Sequence, residues 1–299
     1  MASLRAKGFV AMLGAAAIFT SCVHAPGKSD SESTVQPGPV AEAALGFIES
    51  DGLRIHYEKF GAGRPLVLVH GWGADTKSNW VDTGWIEALK SDRLVISLDA
   101  RGHGQSDKPH DRAAYSYSTM SRDVLALMDH LGIAKADYMG YSMGAFMGAY
   151  LLGHHGDRFG AMVLGGIGDE SEESAALCVT IAEALRAEDS SRITNPIGAA
   201  YRAYASANPN NDLEALALSA LQMWPEGHPR SLGGPGLGRA RNPVLIVNGS
   251  EDHPYTDTAG TFARAIPRAR VETIPGKDHL GAVSDPLFKK FVTEFLSQR

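Results

Sequence analysis

The sequence contains little cysteine, no strong excess of one charge and no internal repeat. Its 299 residues include only two cysteines, Cys22 and Cys178, so no disulfide can form if Cys22 is acylated or removed. Acidic and basic residues are interspersed at a formal net charge of −6, which disfavours a nucleic-acid surface or any polyanionic partner. We therefore expect no nucleic-acid partner.

Sequence motifs for nucleotides and metals are also missing. No G-x-G-x-x-G or Walker pattern precedes a predicted helix. The paired histidines His154 and His155 lack cysteine or carboxylate neighbours at helical spacing, which a zinc site would need. We expect no metal and no cofactor.

The amino-terminal segment has the layout of an export signal. Residues 1–20 carry two basic residues, then an apolar stretch that is short for a membrane span, and no acidic residue. The residues up to Cys22 resemble a bacterial lipoprotein processing site, in which this cysteine becomes the lipidated first residue. Cleavage after Ala25 is the alternative, and Pro26 disfavours it. We predict a lipoprotein-type signal peptide over residues 1–21 and an exported protein, in the bacterial periplasm or anchored to a membrane facing it.

Composition divides the rest of the chain into a tether, a core and an insertion. Residues 22–44 are rich in Ser, Gly, Pro and Ala, as in a flexible tether. Beyond them, apolar runs of strand length alternate with helical patterns, which is typical of a mostly parallel sheet covered by helices on both faces. We predict an α/β core over residues 45–167 and 242–299, interrupted by a helical cap insertion over residues 168–241. Helices are expected near 120–131, 143–155, 258–265 and 286–296 in the core and near 174–186 and 212–223 in the insertion, before a Gly- and Pro-rich loop at 224–238.

The most informative motif is the pentapeptide Gly140-Tyr141-Ser142-Met143-Gly144, a G-x-S-x-G sequence. It lies between an apolar stretch and a helical run, and a serine on such a turn is presented at the carboxyl end of the sheet. The flanking glycines remove Cβ atoms that would clash in this turn. A chain with 33 glycines can contain the motif by chance, so the remaining residues of the site decide between the two interpretations.

A serine nucleophile needs a histidine to accept its proton and a carboxylate to hold that histidine. Asp252 follows the buried strand predicted at 243–248, and His279 follows a second strand at 270–274. The chain order is therefore Ser, Asp, His. We predict that Asp252 is the acid and His279 the general base.

Three other carboxylates compete for the acid position. Asp169 also lies past a strand end and is the second choice, because it begins the insertion. Glu251 and Asp278 adjoin the favoured residues, but adjacent side chains on an extended backbone point apart. Only one residue of each adjacent pair should therefore face the serine.

Acyl transfer also needs two backbone N–H groups directed at the oxygen that becomes negative. One donor is expected from the residue after the nucleophile, which is Met143. The other is expected from the glycine-rich turn after the strand at 65–69, where Trp72 is the predicted donor. His70 in this turn is expected to hold the loop backbone together rather than to transfer protons.

A fourth polar segment follows the strand at 93–96. It contains Asp99, Arg101 and His103 in a tight loop. Polar residues at a strand exit allow a functional interpretation, but a hydrogen-bonded turn that supports the catalytic face fits better.

Together these motifs resemble the α/β-hydrolase fold superfamily. The resemblance covers residues 45–299 and rests on residues 70–73, 99–106 and 140–144, together with Asp252 and His279. It implies a mostly parallel eight-stranded sheet covered by helices on both faces, with a helical cap insertion.

The resemblance also implies a role for each site residue. Ser142 would be the nucleophile, Asp252 the acid and His279 the base, and the amides of Trp72 and Met143 would form the oxyanion hole. Haloalkane dehalogenases and epoxide hydrolases of this superfamily carry aspartate at the elbow, so Ser142 argues against both activities.

We predict a serine hydrolase that cleaves a carboxylic ester of a small or medium uncharged substrate through an acyl-enzyme on Ser142. The same residues would also serve a carbon–carbon bond hydrolase, a lactonase or a cofactor-free perhydrolase. A hypothesis of another class is a non-catalytic ligand-binding protein with this fold. The expected partner is a small ester-like molecule, with membrane contact only through a lipid anchor at Cys22. Met223, Trp224 and Tyr201 could line a pocket, but they fit the core of the insertion better.

Overall fold

The computed structural model describes residues 44–169, 174–223 and 229–298. The predicted signal peptide, the proposed lipidation site Cys22 and nearly all of the tether lie outside the described residues, as does Trp224. Within the part of the chain that is described, no helix has both the length and the apolar composition needed to cross a bilayer.

The described residues form one eight-stranded sheet. Its spatial order is β1-β2-β4-β3-β5-β6-β7-β8. Strand β2 pairs antiparallel with β1 and β4, and the remaining pairs are parallel. The predicted mostly parallel eight-stranded sheet is therefore confirmed. The strands are β1 (Ala44–Ser50), β2 (Leu53–Phe60), β3 (Arg64–Val69), β4 (Arg93–Leu98), β5 (Ala136–Tyr141), β6 (Phe159–Gly165), β7 (Val244–Gly249) and β8 (Ala269–Ile274).

Strand β3 is apolar from Pro65 to Val69, because both of its faces are covered. Side chains alternate between the two faces of a strand. Val67 and Val69 pack into one hydrophobic cluster, while Leu66 and Leu68 pack into a second cluster on the opposite face. Both faces are covered by helices, so a polar residue at any of these positions would be buried.

Helices cover both faces of the sheet. Core helices α2, α3 and α8 contribute to the cluster that contains Val67, whereas α1 and α10 contribute to the cluster that contains Leu66. The helices of the core are α1 (Trp85–Leu89), α2 (Tyr117–His130), α3 (Met143–His155), α8 (Tyr255–Ala263), α9 (His279–Ala282) and α10 (Pro286–Ser297).

The insertion between β6 and β7 is mainly helical. It contains α4 (Ser174–Arg186), α5 (Pro196–Ala207), α6 (Leu213–Met223) and α7 (Pro229–Gly233). Helix α5 was not predicted, although its start signal is present: the Asn195 side chain accepts hydrogen bonds from the N–H groups of Ile197 and Gly198, and Pro196 follows. Helix α7 and a 3₁₀ turn occupy part of the loop expected at 224–238.

Two core helices begin earlier than predicted. Helix α2 begins three residues before Met120, because the Ser116 hydroxyl accepts a hydrogen bond from the Thr119 N–H at 3.0 Å and caps the helix there. Helix α8 begins at Tyr255 rather than Thr258. The predicted helix at 143–155 is confirmed at both ends.

Candidate active site

Ser142 lies on the turn between β5 and α3 in a strained backbone conformation. Its φ is 50° and its ψ is −115°, values that are sparsely populated for a residue with a side chain. A Cβ atom on Gly140 would overlap the Gly144 carbonyl group, and one on Gly144 would overlap the Val69 carbonyl oxygen. The turn therefore requires glycine on both sides of Ser142, and it holds the half-buried serine at the carboxyl edge of the sheet.

Asp252 and His279 lie in hydrogen-bonding contact beyond the ends of β7 and β8. The His279 Nδ1 atom is 2.9 Å from Asp252 Oδ1 and 3.0 Å from Asp252 Oδ2. The Asp252 carboxylate is fully buried, and the histidine side chain is 12% exposed. Because a carboxylate only accepts hydrogen bonds, this contact selects the tautomer of the neutral imidazole in which Nδ1 carries the proton and Nε2 has the lone pair. A histidine held in this tautomer is suited to act as a general base.

The carboxyl end of β6 connects the serine with the histidine. The Ser142 N–H donates a hydrogen bond to the Gly165 carbonyl at 2.8 Å. At the next residue, a Cβ atom on Gly166 would lie 2.8 Å from Cε1 of His279. Gly165 thus contacts the Ser142 turn, and Gly166 contacts the His279 imidazole. The turn and the imidazole therefore lie at the same edge of the sheet.

The competing carboxylates have other partners. Asp169 is paired with Arg230 within the insertion. Glu251 is exposed and accepts a hydrogen bond from the Ser250 hydroxyl. The Asp278 side chain caps α9 by accepting a hydrogen bond from the Gly281 N–H at 2.7 Å. Of the four candidate acids, only Asp252 contacts the His279 imidazole.

Tyr141 holds the backbone and the ring of His279 in place. The sequence analysis missed this role. Its hydroxyl donates a hydrogen bond to the His279 backbone carbonyl, and its ring lies 5.3 Å from the imidazole ring. Burial, together with the negative charges of Asp252 and Asp278, raises the pKa of Tyr141 well above its ordinary value of 10.0. The hydroxyl therefore stays protonated and donates at every physiological pH.

The loop after β3, residues 70–76, lies against Ser142, and we call it the β3 loop. A Cβ atom on Gly71 would be 3.5 Å from the Ser142 Cβ atom. The Gly71 N–H donates to Asn79 Oδ1 at 2.9 Å, so Asn79 is a second residue that the sequence analysis missed. Trp72 lies in this loop, and Met143 is the first residue of α3, whose N–H has no acceptor one turn earlier in the helix.

His70 holds the β3 loop to the segment after β4. Its Nε2 accepts a hydrogen bond from the Ala100 N–H at 3.0 Å, and its Nδ1 donates to the Gly71 carbonyl at 2.8 Å. This arrangement uses both ring nitrogens of a neutral imidazole. The prediction that His70 stabilises the loop is in agreement with these contacts.

The segment after β4 is a hydrogen-bonded turn, as expected. The Asp99 carboxylate accepts from the Thr76 N–H at 2.8 Å and from the Gln105 N–H at 2.9 Å, and His56 Nδ1 lies 3.0 Å away. Burial of Asp99 opposes its ionisation, but these hydrogen bonds outweigh burial and lower its pKa far below the ordinary range. Arg101 forms a buried two-pronged ion pair with Asp123 on α2.

Residues of helix α6 and of the segment between α5 and α6 contact the β3 loop directly. The Trp72 indole N–H donates to the Ser219 hydroxyl at 2.9 Å, and the Asn211 amide donates to the Gly73 carbonyl at 2.8 Å. The Asn208 amide donates to Asp75 Oδ2, also at 2.9 Å. The insertion therefore lies over the carboxyl edge of the sheet, next to Ser142.

Three further residues named in the sequence analysis lie in the insertion or against it. His154 Nε2 lies 2.8 Å from the Leu232 carbonyl oxygen, and among the described residues no three His, Cys, Asp or Glu side chains are grouped closely enough to hold a metal ion. Met223 is buried within the insertion, whereas the Tyr201 ring packs against Trp72 at 5.8 Å.

Comparison with known proteins gives one consistent family. A family model described as the alpha/beta hydrolase fold matches residues 64–187. A solved structure of a hydrolase from Pseudomonas aeruginosa superimposes with a TM-score of 0.71 at 27% identity, and the match covers 84% of this chain and 98% of that one.

Curated relatives match either nearly the whole chain or only about a third of it. The chain is 25% identical over 262 residues to 3-oxoadipate enol-lactonase 2 of Acinetobacter baylyi, a match that covers 84% of this chain and 96% of the relative. It is 43% identical over 102 residues to the dihydrolipoyllysine-residue acetyltransferase component of the acetoin cleaving system of Pseudomonas putida. That match covers 34% of this chain and spans only 26% of the longer relative.

Proposed function

The chain belongs to the α/β-hydrolase fold superfamily, and from that premise we propose that it is a serine hydrolase acting on a carboxylic ester of a small or medium uncharged substrate. The observation that carries the proposal is the Asp252–His279 hydrogen-bonded pair at the sheet edge where the strained Ser142 turn lies. An aspartate nucleophile, as in epoxide hydrolases of this superfamily, is replaced here by serine.

The proposed reaction has two halves. The Ser142 hydroxyl oxygen attacks the ester carbonyl carbon while His279 Nε2 accepts the hydroxyl proton, and the buried Asp252 carboxylate stabilises the imidazolium that forms. The N–H groups of Trp72 and Met143 donate hydrogen bonds to the carbonyl oxygen as it becomes negative. The histidine then protonates the leaving alkoxide, which departs as the alcohol, and water hydrolyses the acyl-enzyme by the same route.

The test is ester hydrolysis by the wild type and by Ser142→Ala. We expect the wild type to hydrolyse short-chain p-nitrophenyl esters and Ser142→Ala to lose at least about 10³-fold in kcat, because the variant has no nucleophile. A fluorophosphonate probe should label the wild type and leave Ser142→Ala unlabelled. Equal rates for the two proteins would refute the proposal, and labelling without turnover of any ester would favour the non-catalytic binding hypothesis.

Lactone hydrolysis is a second candidate function, because the match to 3-oxoadipate enol-lactonase 2 extends over nearly the whole of that relative. A lactone is a cyclic ester, so the attack on its carbonyl carbon needs the same residues. Comparison of kcat/KM for simple lactones and for open-chain esters of equal size would decide between the two substrates.

We further propose that Cys22 carries a lipid anchor that holds the catalytic domain at a membrane of the periplasm. The proposal rests on the basic and apolar leader and on the small-residue sequence before Cys22. The mass of the mature amino-terminal peptide is the test: an acylated Cys22 supports the proposal, and an unmodified terminus after Ala25 contradicts it.

A further inference from the structure

Tyr204 of helix α5 packs against the β3 loop beside the proposed oxyanion hole. Its ring lies so close to Gly73, whose φ is 74°, that a Cβ atom at Gly73 would be 2.8 Å from Tyr204 Cε1. One turn further along, the Asn208 amide donates to Asp75 Oδ2 at 2.9 Å. These two contacts fix the position of the Tyr204 ring relative to the loop that contains Trp72.

The Tyr204 hydroxyl has no hydrogen-bond partner among the residues that the structure describes. The residue is half-buried, so part of its side chain is accessible to a small molecule. Burial and the negative charge of Asp75 raise the pKa of Tyr204 to about 12, which keeps the hydroxyl protonated. Tyr204 in turn contributes to the raised pKa of Tyr141, so the two hydroxyl groups lie within electrostatic range of each other.

A phenylalanine would fill the same space without a polar group to satisfy. The Tyr204 hydroxyl lies next to the β3 loop without an acceptor among the described residues, so a small molecule bound beside this loop can supply one. We propose that the Tyr204 hydroxyl donates a hydrogen bond to an oxygen on the acyl chain of the substrate, and that it is therefore a specificity-determining residue. This inference rests on the proposed function.

The charge around Tyr204 restricts the acceptor to an uncharged oxygen. Burial of Asp75 opposes its ionisation, but hydrogen bonds from Ser78 and Asn208 outweigh burial and lower its pKa below the ordinary value. Asp75 is therefore a carboxylate at neutral pH. A substrate carboxylate next to Tyr204 would be repelled by Asp75, whereas an ether, ester or ketone oxygen would not.

The experiment compares matched esters that differ by one atom. The first pair is p-nitrophenyl butyrate and p-nitrophenyl methoxyacetate, in which an oxygen replaces one methylene group. The second pair is the pentanoate and the 3-methoxypropanoate, which moves the oxygen one atom along the chain. Because each ratio of kcat/KM within a pair is compared between variants, the intrinsic reactivity of the esters cancels.

We expect Tyr204→Phe to lower the oxygen-to-methylene ratio of kcat/KM about 3- to 10-fold for at least one pair, the range of a single neutral hydrogen bond. The alkyl esters should be hydrolysed at nearly the wild-type rate, and the melting temperature should not fall. Tyr150→Phe, a matched change on a half-buried tyrosine of α3, should leave both ratios unchanged.

The outcomes separate the two proposals. Unchanged ratios in Tyr204→Phe, or an equal loss on both members of each pair, would overturn the role of Tyr204 while leaving the serine hydrolase intact. A wild type whose ester hydrolysis is insensitive to Ser142→Ala would overturn the proposed function and this inference together.

Discussion

At the scale of single residues, two aspartates compete for the position of the carboxylate that holds His279. Asp252 and Asp169 both follow strands, and both are buried. They differ in partner: Asp252 contacts the His279 imidazole, whereas Asp169 pairs with the Arg230 guanidinium. The structure therefore separates two carboxylates that sequence reasoning could only rank.

Asp252→Asn should lower kcat for ester hydrolysis by about three to four orders of magnitude, because an amide no longer stabilises the imidazolium or selects the tautomer. Asp169→Asn is the matched control and should change kcat by less than about tenfold, although it weakens the ion pair with Arg230. Steady-state kinetics of both variants on one ester provide the measurement. A larger loss in Asp169→Asn than in Asp252→Asn would contradict this assignment.

The residues of the site were predictable to different degrees. Ser142, Asp252 and His279 each follow an apolar run that ends in a glycine or a polar loop, so one segment of sequence is enough to suggest each of them. Asn79 and Tyr204 could not be found in this way: Asn79 follows Gly71 by eight residues but belongs to no motif, and Tyr204 reaches the β3 loop from a segment far along the chain. No local pattern distinguishes them from other surface or core residues.

At the scale of elements, the contact between α5 and the β3 loop was the feature that sequence reasoning missed. The core strands and helices were predictable because long apolar runs and periodic patterns specify buried elements. Helix α5 is rich in alanine and short of large apolar residues, so its periodicity is weak and its capping residue Asn195 was the only strong signal. Its position over Gly73 depends on tertiary contacts.

Asn208→Asp tests this contact, because it places a second carboxylate next to Asp75 Oδ2. We expect the free energy of unfolding at about pH 8 to fall by about 1–3 kcal/mol, and a smaller loss at about pH 5, where the two carboxylates can share a proton. Urea unfolding at both pH values is the measurement. Asn210→Asp makes the same change at an exposed position two residues away and should have little effect at either pH.

A pH-independent loss in Asn208→Asp, or an equal loss in Asn210→Asp, would show that the contact with Asp75 does not stabilise the fold. Activity on p-nitrophenyl esters provides a second measurement. Because Asp75 belongs to the loop that contains Trp72, we expect kcat of Asn208→Asp to fall together with its stability.

At the scale of the whole molecule, buried histidine and aspartate side chains after β4 make stability depend on pH. Burial, with a smaller contribution from the neighbouring His70, lowers the pKa of His103 from 6.5 to about 3. The unfolded chain therefore binds a proton that the folded protein excludes, and stability is lost as the pH falls from 6.5 towards 3. The depressed pKa of Asp99 extends the loss: its contribution is present above 3.8 and disappears as the pH falls further.

The wild type should lose up to about 1.4 kcal/mol of unfolding free energy per pH unit to His103 alone between about pH 6 and about pH 4. His103→Gln removes this proton, so its stability should fall less steeply over the same range, whatever its stability at neutral pH. Exposed His130→Gln is the control and should keep the wild-type slope. Identical slopes in all three proteins would show that His103 is protonated in the native state.

Asn211 couples the insertion to the β3 loop, and this coupling matters when the insertion is exchanged between related proteins. Its single amide group bridges the carbonyl of Ala205, at the end of α5, and the carbonyl of Gly73. A chimaera that received residues 168–241 from a homologue would therefore also replace the residue that holds the β3 loop at Gly73. We therefore expect a donor segment without an equivalent amide to give a chimaera with a lower kcat, even if it transfers the donor's substrate preference.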